Sequence, residues 1–245
     1  MPKPSTPVGT GSTVRPNRNR LLASLRADEL APLHSHLRDV PIRQGQLLEE
    51  RGQRVDAVYF PQSGLISLIV EMPEDETIEV GMVGSEGAIG INVGLGSRIA
   101  SVTALVQVSG TASKISASRF RSVAAQSPHI QELLVRYNEM QLGQIQQTAA
   151  CNALHDVGSR LSRWLLQTSD RTNSDTIPFT REFLGKMLGV RRGTVSAVAA
   201  GFETAGLIET HRGVIRLVDR DGLKKQTCYC YEFLRKQVDR LVPKQ

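Results

Sequence analysis

Short apolar runs recur between glycines, prolines and charged residues from Ile42 to about Phe120: Leu47-Leu48, Ala57 to Phe60, Leu65 to Val70, Thr77 to Val83, Val102 to Val108 and Thr111 to Ile115. Runs this short, bounded by turn formers, predict strands, and many of them at such spacing predict a β sandwich or jelly roll. Glycines crowd most closely between Gly81 and Gly96, where a strand should give way to a loop whose backbone can approach a ligand closely. Ahead of this region, Asn19 can cap a short helix containing Leu21, Leu22 and Leu25. Asp28 can cap another that runs through Leu33, Leu37 and Val40 until Pro41 breaks it.

Beyond Ser127-Pro128 the periodicity becomes helical, and Ile130, Leu133, Leu134, Tyr137, Met140, Gln141, Gln144, Ile145, Thr148 and Cys151 follow one face over several turns. A long helix with such a mixed apolar and Gln-rich stripe suits pairing with a second copy of itself. Leu133, Leu134, Tyr137, Met140, Gln141, Gln144, Ile145 and Thr148 are therefore the expected homodimer contacts. The competing reading lays this face on the chain's own β domain. A following helix holds Val157, Leu161, Trp164, Leu165 and Leu166, and the polar stretch from Gln167 to Thr176 reads as a joining loop.

The stretch from Thr180 to Leu217 has the pattern of a helix-turn-helix followed by a β-hairpin wing. Thr180 is placed as an N-cap, Glu182 lies in the first turn, and Phe179 can staple onto Leu184. Leu188-Gly189-Val190 breaks that helix. In the next, Val195, Val198, Ala199 and Phe202 fall at i, i+3, i+4 and i+7, which leaves Arg191, Arg192, Thr194 and Ser196 free to face DNA. Ala205-Gly206 ends it, and two short strands flank a basic turn, His211-Arg212-Gly213. Thr180, Arg181, His211 and Arg212 complete the expected DNA contacts.

Charge supports this division. Residues 156 to 245 hold 16 Lys and Arg against 10 Asp and Glu, residues 20 to 155 hold 11 against 14, and the first 19 hold 3 against none. The last third thus carries the basicity, as a nucleic-acid-binding unit beside a mildly acidic one would. The chain divides into a disordered basic arm (1–19), a β-roll sensor-like domain (20–127), a dimerisation helix (128–155) and a winged helix-turn-helix domain with a C-terminal helix (156–245). No apolar run approaches membrane-spanning length, which predicts a soluble, cytoplasmic protein without membrane contact. Cys151, Cys228 and Cys230 are too few for a disulfide framework. Cys228-Tyr229-Cys230 is not a CxxC motif and reads as ordinary helix packing with Tyr231, Phe233 and Leu234. His34-Ser35-His36 lies on a predicted helix, where i and i+2 do not share a face, and no metal site is expected.

A β-roll, a long helix and a C-terminal winged helix-turn-helix, in this order, resemble the cyclic-AMP receptor and fumarate-nitrate regulator (Crp/Fnr) superfamily of bacterial transcription factors. The resemblance covers most of residues 20 to 220. It is strongest from Thr180 to Ser196, which is similar to the family pattern T-R-x-x-[IL]-[GA]-x-x-[LV]-G-x-x-x-x-T-V-[GS]. It implies an α+β fold with an N-terminal jelly roll, and a homodimer that binds a palindromic double-stranded DNA site and acts on RNA polymerase recruitment. Arg192 matches the arginine that contacts guanine, but Gly193 stands where relatives often carry Glu, so their base preference does not transfer. Arg191 occupies a capping position without a capping side chain, a loss of roughly 1 kcal/mol that a bound phosphate would reverse.

Cyclic-nucleotide binders of the family carry a Gly-Glu segment followed by an Arg and a Ser or Thr. Here Gly84, Glu86, Gly87 and Arg98 look like that cassette, with Ile99 where the hydroxyl is expected. No cofactor is therefore expected, with a cyclic-nucleotide-responsive regulator using Glu86 and Arg98 as the alternative. The N-terminal cysteine cluster of iron-sulfur relatives is missing, since no Cys precedes Cys151. Enzyme motifs are lacking, and Glu49-Glu50 and Glu74-Asp75-Glu76 read as solvating acidic turns. A basic interaction module that does not bind DNA is the remaining rival.

Overall fold

The computed structural model describes residues 18–73 and 76–242; the proposed basic arm lies outside them apart from Arg18 and Asn19, as do Glu74 and Asp75. Helix α1 (Arg20–Ala23) begins where the Asn19 side chain accepts the Leu22 N–H. Helix α2 (Ala27–His34) starts after Arg26, not Asp28, and stops before Leu37 and Val40. Val40 instead lies in strand β1 (Arg38–Ile42), at a sheet edge where Pro41 is tolerated because a missing donor costs nothing on the open side.

Strands β2 (Leu47–Glu49), β3 (Ala57–Pro61), β4 (Leu65–Glu71), β5 (Thr77–Val83), β6 (Thr103–Val108) and β7 (Gly110–Ser116) follow the predicted runs to within a residue or so at their ends. They form two antiparallel sheets, β1-β7-β3 and β2-β6-β4-β5, the expected double-layered roll. Ile42, Ile66, Leu68, Val83, Ala104, Val106 and Ala112 fill the space between them.

Helix α3 (Ala117–Ala124) leads into α4 (Pro128–Leu154), which Ser127 caps through the Ile130 N–H and which Pro128 can open because its first N–H needs no partner. Leu133, Leu134, Tyr137 and Met140 pack into a core with Phe60 and Phe120 of the roll. Gln144 and Thr148 are buried as well, along the part of α4 that meets α9 (Cys230–Leu241). The stripe expected to face a second copy is thus mostly covered within the chain. Periodicity reports that a face is buried, not what buries it.

Helix α5 (Val157–Thr172) continues through the stretch expected to be a loop and ends at Asn173 in the left-handed region. Its Gln167, Thr168 and Ser169 are buried polar residues, which is why composition suggested solvent. The remaining elements are β8 (Thr176–Ile177), α6 (Arg181–Leu188), α7 (Arg192–Thr204), β9 (Ile208–His211), β10 (Val214–Leu217) and α8 (Arg220–Gln226). Trp164, Phe179, Met187, Val195, Phe202, Ile215 and Leu223 share a core with Leu65, Ile69 and Met82 of β4 and β5, so the C-terminal unit sits directly on the four-stranded sheet. No helix among the described residues is long and apolar enough to cross a membrane.

Candidate nucleic-acid interface and the glycine loop

The turn between α6 and α7 is tight because two glycines permit it. A Cβ on Gly185 would lie 2.8 Å from the Val190 carbonyl oxygen, and Gly189 caps α6 at φ 62°, a conformation that penalises other residues. Thr180 caps the start of α6 by accepting the Phe183 N–H. Phe179 and Leu184 are buried in one core. The Phe179 ring also stacks on Phe183, with centroids 4.7 Å apart, and meets the Trp164 ring edge-on at 5.2 Å.

Helix α7 begins at Arg192 with Arg191 as its N-cap, and no side chain caps it. Arg191, Arg192, Gly193 and Thr194 are exposed and Ser196 is half-buried, while Val195 and Ala199 anchor the opposite face. A Cβ at Gly193 would meet nothing within 4 Å, so this end of the helix is open. The wing turns through Arg212 (φ 39°) and Gly213 (φ 84°), with His211 paired to Val214, as a two-residue hairpin with both central residues left-handed. His211 is thus the last strand residue and not part of the turn.

Thr180, Arg181, Arg192, Arg212 and Gly213 line one cleft of about 400 Å³ between α6 and the wing. Arg181 is already engaged there: it donates to Thr210 Oγ1 at 3.1 Å and lies 3.4 Å from Glu203 Oε2, while Thr210 also bonds Glu203. It fastens the wing to the helices, a role that sequence spacing did not suggest.

The glycine loop is occupied by the protein itself. A Cβ on Gly87 would come within 2.3 Å of Tyr137 Oη, which accepts the Ala88 N–H at 2.9 Å and donates to the Ala88 carbonyl at 3.0 Å. A Cβ on Gly84 would meet Glu86 and Arg171. Glu86 is 5 % exposed, 2.8 Å from Arg171 Nε of α5, and accepts the Gly84 N–H. Arg98 is exposed on another part of the roll. The four residues that resemble the cassette are therefore not brought together: Gly84 and Glu86 meet Arg171 of α5, Gly87 meets Tyr137 of α4, and Arg98 stands apart.

A separate cavity of about 240 Å³ lies between the roll and α4, with Gln141 and Ile145 on its helical wall. Among the described residues, Glu49 is its only ionisable lining residue. Burial pushes the Glu49 carboxyl up to about 7, so it is no solvating turn residue. Cys151 and His155, at and just beyond the end of α4, converge with Cys228 of the α8–α9 link and Cys230, the first residue of α9.

The Crp-like helix-turn-helix domain matches residues 159–226. Over 190 residues the chain is 23 % identical to the transcriptional activator protein FnrA of Stutzerimonas stutzeri, covering 75 % of this chain and 78 % of that one. Over 215 residues it is 25 % identical to a CRP-like cAMP-activated global transcriptional regulator of Mycobacterium tuberculosis, covering 84 % and 92 %. In fold it is similar to a Crp/Fnr-family regulator from Eubacterium rectale, with a TM-score of 0.69 at 15 % identity covering 86 % of this chain and 98 % of that one. It is also similar to FixK2 from Bradyrhizobium japonicum, with a TM-score of 0.67 at 14 % identity covering 78 % and 98 %.

Proposed function

We propose that this chain is a transcription regulator of the Crp/Fnr superfamily that acts as a homodimer on a palindromic promoter site, acts on RNA polymerase recruitment, and does so without cyclic AMP. It is a regulator with a helix-turn-helix DNA-binding domain and not an enzyme. The observation that carries the proposal is the open, uncapped start of α7, where Arg191, Arg192 and Thr194 project beside the basic wing turn. Free N–H groups at a helix N-terminus and two guanidinium groups suit a phosphate, and Arg192 has the donor fork to bond guanine O6 and N7 together. Ser196, Thr180, His211 and Arg212 extend the same surface.

Dimerisation is supported by a more exposed stripe of α4 that runs beside the buried one and shares Ile145 with the contacts expected from the sequence. Val135, Asn138, Leu142, Ile145 and Ala149 alternate in steps of three and four, the spacing of a coiled-coil seam. Val135 is 46 % and Leu142 55 % exposed, uncommon values for such side chains on a helix otherwise packed into the fold. Independence from cyclic AMP is supported by the Glu86–Arg171 pair and by a cavity wall that, among the described residues, has no cation to balance a cyclic phosphate.

Selection from random duplexes followed by competition binding tests the proposal. The expected result is a two-fold symmetric consensus whose affinity falls steeply with salt. Arg192→Ala should lose discrimination at one base pair per half-site, worth about 1–3 kcal/mol, and leave binding to random DNA nearly unchanged. Absence of any sequence preference would overturn the reading, and saturable binding of cyclic AMP in calorimetry would overturn its last clause.

A further inference from the structure

Cys151 lies in the last turn of α4, and His155 is the C-cap just beyond it, whose backbone N–H donates to the Cys151 carbonyl at 3.1 Å. Cys228 lies on the short link between α8 and α9, and Cys230 opens α9, which packs against α4. One ligand atom from each of the four lies within 4.8 Å of all the others. Cys151 Sγ is 3.5 Å from Cys228 Sγ, and Cys230 Sγ is 3.6 Å from His155 Nδ1. Bond lengths of about 2.3 Å to sulfur and 2.0–2.1 Å to nitrogen in a tetrahedron require edges of roughly 3.5–3.8 Å. The two closest pairs already have that spacing. A disulfide would need its sulfurs near 2.0 Å, and all three cysteines are free.

We propose that Cys151, His155, Cys228 and Cys230 bind one thiophilic divalent ion, Zn²⁺ in the first instance, as a Cys₃His tetrahedron that staples the end of α4 to the α8–α9 link.

The surroundings have the features such a site needs. Gln147 Nε2 donates to Cys230 Sγ at 3.0 Å, the kind of outer hydrogen bond that orients and steadies a thiolate ligand. Arg160 and Arg163, buried on α5, both interact electrostatically with Cys151. Three thiolates around a divalent ion leave one net negative charge, which these guanidinium groups would offset. Each thiol releases its proton to solvent as the ion binds. Four ligands alone close a tetrahedron, so the site is structural, with no position for substrate. It also explains residues that the DNA-binding surface leaves unused. Read alone, Cys228-Tyr229-Cys230 suggests only packing, because its partners are 75 or more residues away in sequence.

The test uses the full chain with its thiols reduced. Elemental analysis after dialysis against Zn²⁺ should give one ion per chain. Titration with Co²⁺ should produce the intense visible absorption of a tetrahedral ion together with thiolate-to-metal charge transfer. Cys228→Ser should lose tight binding, and Gln147→Leu should weaken it on the order of ten- to a hundred-fold. His155→Ala removes a ligand nearer the surface, so it keeps the test decisive if Cys228→Ser fails to fold. It should stay folded while the Co²⁺ spectrum loses its tetrahedral intensity. A weak octahedral Co²⁺ spectrum, no ion retained by the reduced protein, or unaltered stoichiometry and affinity in His155→Ala would each overturn the proposal. So would a Cys151–Cys228 disulfide whose reduction restores no metal uptake.

Discussion

Arg212 holds a left-handed backbone that costs a non-glycine residue about 1–2 kcal/mol. A cation kept at that cost on an exposed wing tip is expected to contact phosphate. Arg212→Gly should therefore raise thermal stability by about 1 kcal/mol while weakening binding to all duplexes and flattening its salt dependence by about one phosphate contact. Denaturation and salt titrations check both signs, and a variant that loses stability would contradict the strain argument. Glu79 on β5 is a second residue with a measurable consequence. It is buried, accepts the Trp164 Nε1–H at 3.0 Å and a bond from Ser67, and faces Arg163 and Arg171 of α5. Burial raises its carboxyl from an ordinary 4.5 to about 7. The folded state then holds a proton that the unfolded chain releases. This contribution, up to about 3 kcal/mol, is complete below pH 4.5 and is lost as pH rises through 7. Glu79→Gln should flatten that part of the stability profile, and parallel wild-type and variant profiles from pH 5 to 8 would refute it.

Helix α4 serves neighbours on more than one side. Its Leu134 and Tyr137 close the chain's own core, whereas Val135 and Leu142 stay largely exposed, Leu142 at the rim of the cavity between α4 and the roll. Substitutions on the two faces should therefore separate folding from assembly. Leu142→Glu should give a folded monomer in sedimentation, with DNA affinity lowered through loss of the second half-site. Tyr137→Phe should keep the oligomeric state but cost roughly 1–3 kcal/mol of stability, since the Ala88 N–H and carbonyl lose their partner. A dimer that survives Leu142→Glu would place the interface elsewhere.

Across the whole molecule, the roll and the DNA-binding unit are joined by a shared apolar core and by the Glu86–Arg171 pair, both side chains at or below 10 % exposure. Removing one member of such a pair strands a buried charge, at a cost of about 3–5 kcal/mol. Arg171→Met should destabilise by that order, and adding Glu86→Gln should recover much of it. Purely additive losses in denaturant melts would show that the two groups are not coupled. The glycine loop is tied down by α5 through that pair, the physical basis on which the proposed independence from cyclic AMP rests.

Strand runs, the start of α4, and the Thr180 and Gly189 boundaries of α6 were legible because each depends on neighbours a few residues away: alternation, a capping oxygen, a glycine with positive φ. The exposed start of α7 was legible for the same reason. Where each buried face went was not. The α4 stripe, the long run of α5 through buried Gln167 and Ser169, and the capture of Glu86 by Arg171 all depend on contacts between segments far apart in sequence. So does the meeting of Cys151 and His155 with Cys228 and Cys230. Local patterning says that a side chain must leave water, but the packing of whole elements decides which partner receives it.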